Sequence, residues 1–246
     1  MSAAQQINEE LLAELDQFDD PYVLIREILN RFGRRAGIGT GGQLTGCALI
    51  SMAADTELPF RVFTIDTHKL HPETYQLFNR LEERYGIYIE RVQPDAAGVA
   101  QMVRQHGDFL FYDSKEKQEY CCNVRKVEPN ERVLKTLDVW ITGLRRDQSE
   151  HRRNAPKLSI IEENGRPVLK ACPLIEWTEA DVRDYIERKR IPYNTLFDIN
   201  SHGIRYTSIG CVCCTTAVLP HEDPRAGRWR WFNILDNHKK ECGLHM

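Results

Sequence analysis

A doubly wound, mostly parallel α/β sheet is the fold class this sequence predicts, and three observations predict it. Short apolar runs alternate with segments of helical period, the order that lays strands side by side with helices across their faces. A glycine-rich turn, Thr40-Gly41-Gly42-Gln43-Leu44-Thr45, separates one such run from a following helix. The 246 residues, 41% hydrophobic and 28% charged, suit one large α/β domain and exclude a disordered chain. A chain of this length buries roughly 70–75% of its unfolded surface and needs no disulfides to hold a core.

The elements follow in order. Ile7, Leu11, Leu12, Leu15 and Phe18 share one face at helical spacing and predict a first helix. Asp20-Pro21 supplies a cap and a first-turn proline to a second, carrying Tyr22, Ile25, Leu29 and Phe32. Residues 34–38 read as a strand poor in β-branched side chains, followed by the glycine turn and a helix over 47–53. Residues 61–66 predict a short buried strand. His71-Pro72 opens a helix with Tyr75, Phe78, Leu81 and Tyr85 inward, and Gly86 closes it. Residues 87–92 and 139–142 predict two more strands, and Thr178 starts a helix running to about Arg188. The last fifty residues are loop-rich and end in a short charged tail. One α/β domain over 1–234 and a mobile, catalytic tail over 235–246 are the expected divisions.

Charge and composition narrow the function. Lys and Arg number 33 against 36 Asp and Glu, a formal charge of −3, which argues against a nucleic-acid or membrane-surface binder. The N-terminus is acidic and lacks an apolar core, so no signal peptide is expected, and no apolar run approaches ~18 residues. A cytoplasmic location is the expectation. Eight cysteines in such a chain point to metal ligands or catalytic thiols in preference to disulfides.

Four constellations carry chemistry. In the glycine turn, backbone N–H groups can approach an anion closely, the helix N-terminus adds a favourable dipole, and Thr40 and Thr45 offer hydroxyls. Many glycine-rich turns are conformational only, but Asp66 follows the next strand, where an acidic side chain can reach a ribose or base. Cys121-Cys122 and Cys211-Val-Cys213-Cys214 can together supply four thiolates to an iron–sulfur cluster or to zinc. Neighbouring Cα atoms lie only ~3.8 Å apart, which makes adjacent cysteines awkward for one ion and favours a multi-iron cluster. Buried cysteines acting as small hydrophobes are the plain alternative. Arg145, Lys126, Arg225 and Arg228 lie in loops suited to phosphate and sulfate oxygens, although isolated basic runs are more often solvated faces. In a net acidic chain they suggest a small dianion. Finally Cys242, four residues from the end and flanked by Lys239, Lys240 and His245, reads as a tail nucleophile or an accidental terminal thiol.

In combination, Asp66-Thr-His-Lys-Leu-His-Pro-Glu-Thr-Tyr75, Cys121-Cys-Asn-Val-Arg-Lys-Val127, Gly210-Cys-Val-Cys-Cys-Thr215 and Glu241-Cys-Gly-Leu-His245 resemble the assimilatory sulfonucleotide reductases from about residue 20 onward. The doubled cysteine pairs resemble the branch that uses adenylyl sulfate (APS). The family implies a fold of the adenine nucleotide α-hydrolase-like (PP-loop) type and a [4Fe–4S] cluster on Cys121, Cys122, Cys211 and Cys214. The choice of Cys214 over Cys213 rests on the family's spacing. It further implies Cys242 as nucleophile, an S-sulfocysteine intermediate, and thioredoxin or glutaredoxin as reductant, in sulfate assimilation toward cysteine. Thr40, Gly41, Gly42, Thr45, Asp66, Lys126, Arg145, Arg225 and Arg228 are the expected substrate contacts. Lys126 resembles a family lysine between cluster and substrate. A homo-oligomer is compatible with the sequence and not specified by it.

Alternatives remain. One is a reductase of the 3′-phosphorylated nucleotide (PAPS); another is a transferase or ATP pyrophosphatase of the same fold; a third is a non-catalytic iron–sulfur sensor. The glycine turn resembles the Ser-Gly-Gly-x-Asp-Ser loop of ATP pyrophosphatases, with threonine for both serines and Leu44 for the aspartate. Loss of that carboxylate argues against ATP and Mg²⁺ chemistry. The glycine-rich first strand and Arg230 between Trp229 and Trp231 depart from the family pattern.

Overall fold

The computed structural model of the chain describes residues 7–232. Six strands form one sheet in the order β3-β2-β1-β4-β6-β5: β1 (Ala36–Gly39), β2 (Arg61–Ile65), β3 (Ile89–Val92), β4 (Val139–Thr142), β5 (Leu158–Glu163) and β6 (Arg166–Ala171). β1 runs parallel to both β2 and β4, β4 is parallel to β6, and β5 is antiparallel to β6. The chain thus starts in the middle of the sheet and winds outward both ways, with its switch point between β1 and β4. The expected doubly wound, mostly parallel fold is the one observed.

The helices are α1 (Glu9–Asp16), α2 (Pro21–Phe32), α3 (Leu44–Asp55), α4 (Pro72–Tyr85), α5 (Ala96–His106), α6 (Lys115–Cys122), α7 (Glu128–Leu134) and α8 (Glu179–Lys189). Of the described residues, those within Met1–Thr64, Leu77–Glu90 and Val133–Tyr193 form one compact unit. Those within Ile65–Gln76, Arg91–Arg132 and Asn194–Met246 form a second.

In the first unit local chemistry starts and stops the elements. Asp20 caps α2 by accepting from the Tyr22 and Val23 amides at 2.8 and 3.0 Å, with Pro21 in the first turn. α3 is buried from Leu44 to Ala53 and is apolar on every face, which is why no single stripe betrays its length in the sequence. It begins at Leu44, three residues before the expected start. β1 spans Ala36–Gly39 in place of the expected 34–38, because Gly33–Arg35 make a tight 3₁₀ turn first.

Its glycines have a packing cause. A Cβ on Gly37 would meet Leu137 Cδ1 at 2.7 Å, and one on Gly39 would meet Trp140 Nε1 at 2.6 Å. Large side chains cross the central strand only where it has none. The β5–β6 hairpin, not among the expected strands, turns at Asn164 and Gly165, both at positive φ (52° and 72°), as a mirror-image two-residue turn requires.

The second unit is held by two small apolar clusters. One gathers Met102, Leu110, Phe111, Cys121 and Val124; the other gathers Cys211, Cys214 and Trp229. α6 passes directly into a π-helical turn, Asn123–Val127, whose wider winding often accompanies functional sites. Arg230, unexplained by the family pattern, is held here by the Glu222 carboxylate, the Thr216 hydroxyl at 3.1 Å and the Ala217 carbonyl at 2.9 Å. It staples the loop that precedes it. Among the described residues no helix is long and apolar enough to cross a membrane.

Candidate functional site

In the first unit the loops after β1 and β4 meet at the switch point, the candidate anion cradle. Thr40 leaves β1 with its amide on the Phe63 carbonyl at 2.9 Å, and its hydroxyl accepts from the Gly42 amide at 3.2 Å. Gly42 adopts φ +74°, a conformation that favours glycine. No side chain caps the N-terminus of α3 at Gln43, so that end of the helix presents amide donors and positive dipole. The cradle is tight: a Cβ on Gly46 would lie 2.4 Å from Thr40 Oγ1.

From the other loop, Arg145 donates to the Thr45 hydroxyl across a sequence separation of 100 residues. Asp147 grips the same guanidinium through two contacts of 2.9 and 3.2 Å, fixing its plane although the arginine is only 5% exposed. Asp147 in turn accepts from the Glu179 amide at the start of α8 at 2.7 Å. Thr40, Gly41, Gly42, Thr45 and Arg145 therefore come together as expected, with Asp147 a positioning residue the sequence reading missed. Leu44 is buried in the first turn of α3, so no carboxylate faces the loop from that position.

The second unit joins two of the motifs that carry the resemblance. The segment after Asp66 lies against the cysteine loop: the Val212 amide donates to the Lys69 carbonyl at 2.7 Å, and Leu70 bridges Cys211 in antiparallel fashion. Thr67 places its hydroxyl 3.2 Å from Cys211 Sγ, and His71 Nε2 lies 3.4 Å from the Thr215 hydroxyl. Asp66 itself is 7% exposed and accepts from the Tyr75 hydroxyl at 2.7 Å and the His68 amide at 3.0 Å. Burial first, and the Asp66 carboxylate second, push the Tyr75 hydroxyl well above its ordinary range, so it stays a donor. Tyr75 thus aims Asp66.

Basic side chains act on the thiols: Arg125 on Cys121, and Lys126 and Arg228 on Cys211 and Cys214. Cys211 is held below the usual thiol range, first by a hydrogen bond from Cys213, then by Lys126, Thr67 and Arg228, against the cost of burial. Cys214 is lowered by the same Cys213 contact and by Lys126 and Arg228. Burial raises Cys121 to about 11, with Arg125 opposing. Cys122, at the last turn of α6, accepts from Gln118 Nε2 at 3.1 Å.

The buried Arg125 also donates to the Thr67 carbonyl at 3.0 Å, so the π-helical turn and the Asp66 motif share a bond. Arg228 stacks over Trp229 at 5.1 Å, and its guanidinium needs the bare backbone of Gly210, where a Cβ would come within 2.6 Å of Nη1. Arg225 supplies a carbonyl to the Arg228 amide at 3.0 Å. Sequence reading missed Thr67 and Trp229 as pocket residues; Thr67 lay inside a quoted motif, but only the fold sets its hydroxyl on the sulfur.

Do the residues suit a cluster? Among the described residues no three His, Cys, Asp or Glu side chains are gathered tightly enough for a single metal ion. Two buried N–H groups beside these sulfurs, Arg125 Nε and Trp229 Nε1, have no hydrogen-bond partner among the described residues. Such donors suit sulfide or thiolate sulfur. Cys47 and Cys172 are different: burial raises them to about 12 and about 11. Cys242 lies outside the described residues, as does the expected tail over 235–246.

Sheet order, switch-point cradle and thiol pocket define an α/β nucleotide-binding protein of the thiol-bearing kind. The particular family follows: residues 40–217 match the phosphoadenosine phosphosulfate reductase domain, and the chain belongs to that family. It is 36% identical to the adenosine 5′-phosphosulfate reductase of Burkholderia cepacia, over 100% of this chain and 92% of that protein. It is 43% identical to the enzyme of that name from Allochromatium vinosum, over 76% and 70% of the two chains. It is 37% identical to the chloroplastic 5′-adenylylsulfate reductase 3 of Arabidopsis thaliana, covering 98% of this chain but 54% of that one. The chain thus spans about half the length of the plant relatives it matches.

Among solved structures, the PAPS reductase of Candida auris in a phosphate complex superposes with TM-score 0.70 at 25% identity, over 87% of this chain and 100% of that one. The Candida glabrata FMN adenylyltransferase shares the fold alone, with TM-score 0.56 at 14% identity over 91% and 70% of the two chains.

Proposed function

We propose that this protein reduces adenylyl sulfate to sulfite and AMP, with Cys242 as nucleophile and a dithiol protein such as thioredoxin or glutaredoxin as reductant. The single observation that carries the reading is the bonding of the Asp66 motif to the Cys211 loop through Lys69, Leu70 and Thr67. Motifs about 140 residues apart in a chain have no local reason to meet; a shared site supplies one. The names of the bacterial relatives support adenylyl sulfate over its 3′-phosphorylated form.

The Cys242 thiolate attacks the sulfur of the substrate's sulfate; the S–O bond to AMP breaks, and AMP departs with the electron pair. The product is an S-sulfocysteine. One thiolate of the reductant then attacks Cys242 Sγ, expelling sulfite and forming a mixed disulfide. The second thiol frees Cys242 and leaves the reductant oxidised. Two electrons come from the dithiol, and two protons go to solvent.

The chain's own residues bind and orient. Thr40, Gly41, Gly42, Thr45 and the α3 amides hold one anionic group of the phosphosulfate, with Arg145 beside them. Lys126, Arg225 and Arg228 offset charge where a thiolate meets an anion. Asp66, aimed by Tyr75, takes a hydroxyl of the nucleoside. Cys121, Cys122, Cys211 and Cys214 would hold a [4Fe–4S] cluster, which would supply fixed charge and positioning and no electrons to the substrate. A cytoplasmic site of action suits such a redox couple.

Intact mass after incubation with APS and, separately, PAPS tests the reading. A sulfonate adduct on Cys242 with APS is expected. An adduct with PAPS alone assigns the 3′-phosphorylated substrate, and none with either removes the reductase assignment. Cys242→Ser should release no sulfite while retaining visible absorption near ~400 nm, the band expected of such a cluster.

A further inference from the structure

The mechanism leaves one pocket thiol unused, Cys213. Its neighbour Val212 is 53% exposed, whereas Cys213 is half-buried. The Cys213 side chain packs against the cluster that contains Cys121, Phe111 and Val124, and equally against the cluster of Cys211, Cys214 and Trp229. It therefore stands where the two halves of the ligand set face each other. Its sulfur is 3.8 Å from Cys214 Sγ.

Both ends of this loop are anchored, the Cys214 end by the Trp229 amide on the Cys214 carbonyl at 3.0 Å. Cys211 is pinned on three sides: by the Thr67 hydroxyl, by the Leu70 bridge, and by the bond from Val212 to Lys69. At the other end Cys213 and Cys214 are chain neighbours on one turn, closed by the Cys214 and Thr215 amides on the Cys211 carbonyl at 2.9 and 3.1 Å. Exchanging one thiol for the next moves the ligand by a single residue and leaves the Cys211 end untouched.

We propose that Cys213 is a reserve ligand for the iron–sulfur cluster, able to take the place of Cys214 when that thiolate is lost. This rests on the cluster reading above. In the exchange one iron–sulfur bond to Cys214 breaks and one to Cys213 forms. Cys213 gives up its proton, Cys214 gains one, and no atom changes oxidation state. The benefit is retention: a single damaged thiol does not release iron.

Iron content and visible spectra of the anaerobically purified protein test this without reference to activity. Wild type should carry about four irons per chain. Cys214→Ala should keep most of that iron, with a shifted spectrum of the reduced cluster from the altered ligand. The double variant Cys213→Ala/Cys214→Ala should lose at least nine-tenths of it, with far-UV circular dichroism confirming that both variants fold. Independently, Cys213→Ala should bleach severalfold faster than wild type on exposure to air. Iron loss in Cys214→Ala equal to that of the double variant overturns the proposal while leaving the cluster reading intact, and so does bleaching of Cys213→Ala at the wild-type rate. Iron-free wild type removes the cluster reading itself.

Discussion

Gly46 shows how much a single residue decides. Its missing Cβ leaves room for Thr40 Oγ1, which in turn receives the Gly42 amide. Gly46→Ala forces Thr40 aside and should cost about 1–3 kcal/mol, the usual range for overpacking a tight site. Because the displaced groups form the anion cradle, KM for the sulfonucleotide should rise more than kcat falls. Steady-state kinetics and a urea midpoint measure both, and an unchanged KM would detach this loop from substrate binding.

Arg230 offers a second residue-scale test. It holds the Glu222 carboxyl down to about 2, below its ordinary 4.5. A depressed folded-state value means that the pair stabilises fully above about pH 4.5 and is lost as pH falls toward 2. Glu222→Gln should therefore be less stable than wild type at pH 7, and the gap in thermal midpoint should narrow on acidification below pH 4.5 and close only near pH 2. A gap independent of pH would contradict the assignment.

At the scale of elements, caps and turns were the most legible features. The Asp20-Pro21 start of α2 is present as read, since its hydrogen bonds lie within three residues in the chain. Asp20→Ala should cost about 1 kcal/mol, seen as a lowered urea midpoint with unchanged slope. α3 was read short because a helix buried on every side has no polar face to mark its ends. β3 starts at Ile89, two residues later than expected, after Gly86 turns the chain at φ +62°. The Asn164-Gly165 hairpin carried a recognised turn signal that the reading did not use. The π-helical turn had no signal at all: its winding reflects where Arg125 and the cysteines must pack, and sequence periodicity does not record that.

For the whole molecule, the central expectation concerns the tail. Deleting residues 235–246 should leave AMP binding unchanged by calorimetry, because the cradle and the Asp66 motif lie elsewhere in the chain. The same deletion should abolish sulfite release. Lost AMP affinity would give the tail a binding role instead of a purely nucleophilic one.

What the amino-acid order determined by itself was local: the fold class from alternating periods, the α2 cap, the glycine turn, and two cysteine motifs specific enough to name a family. Each depends on neighbours within a few residues, where steric preference and hydrogen-bond reach are decided before the chain folds. The tertiary structure alone decided which distant groups meet. It set Arg145 on Thr45, Thr67 on Cys211 and Cys213 against Cys214. It also explained the glycines of β1, which make room for Leu137 and Trp140. Those contacts follow from strand order and burial, and no run of neighbouring residues encodes either.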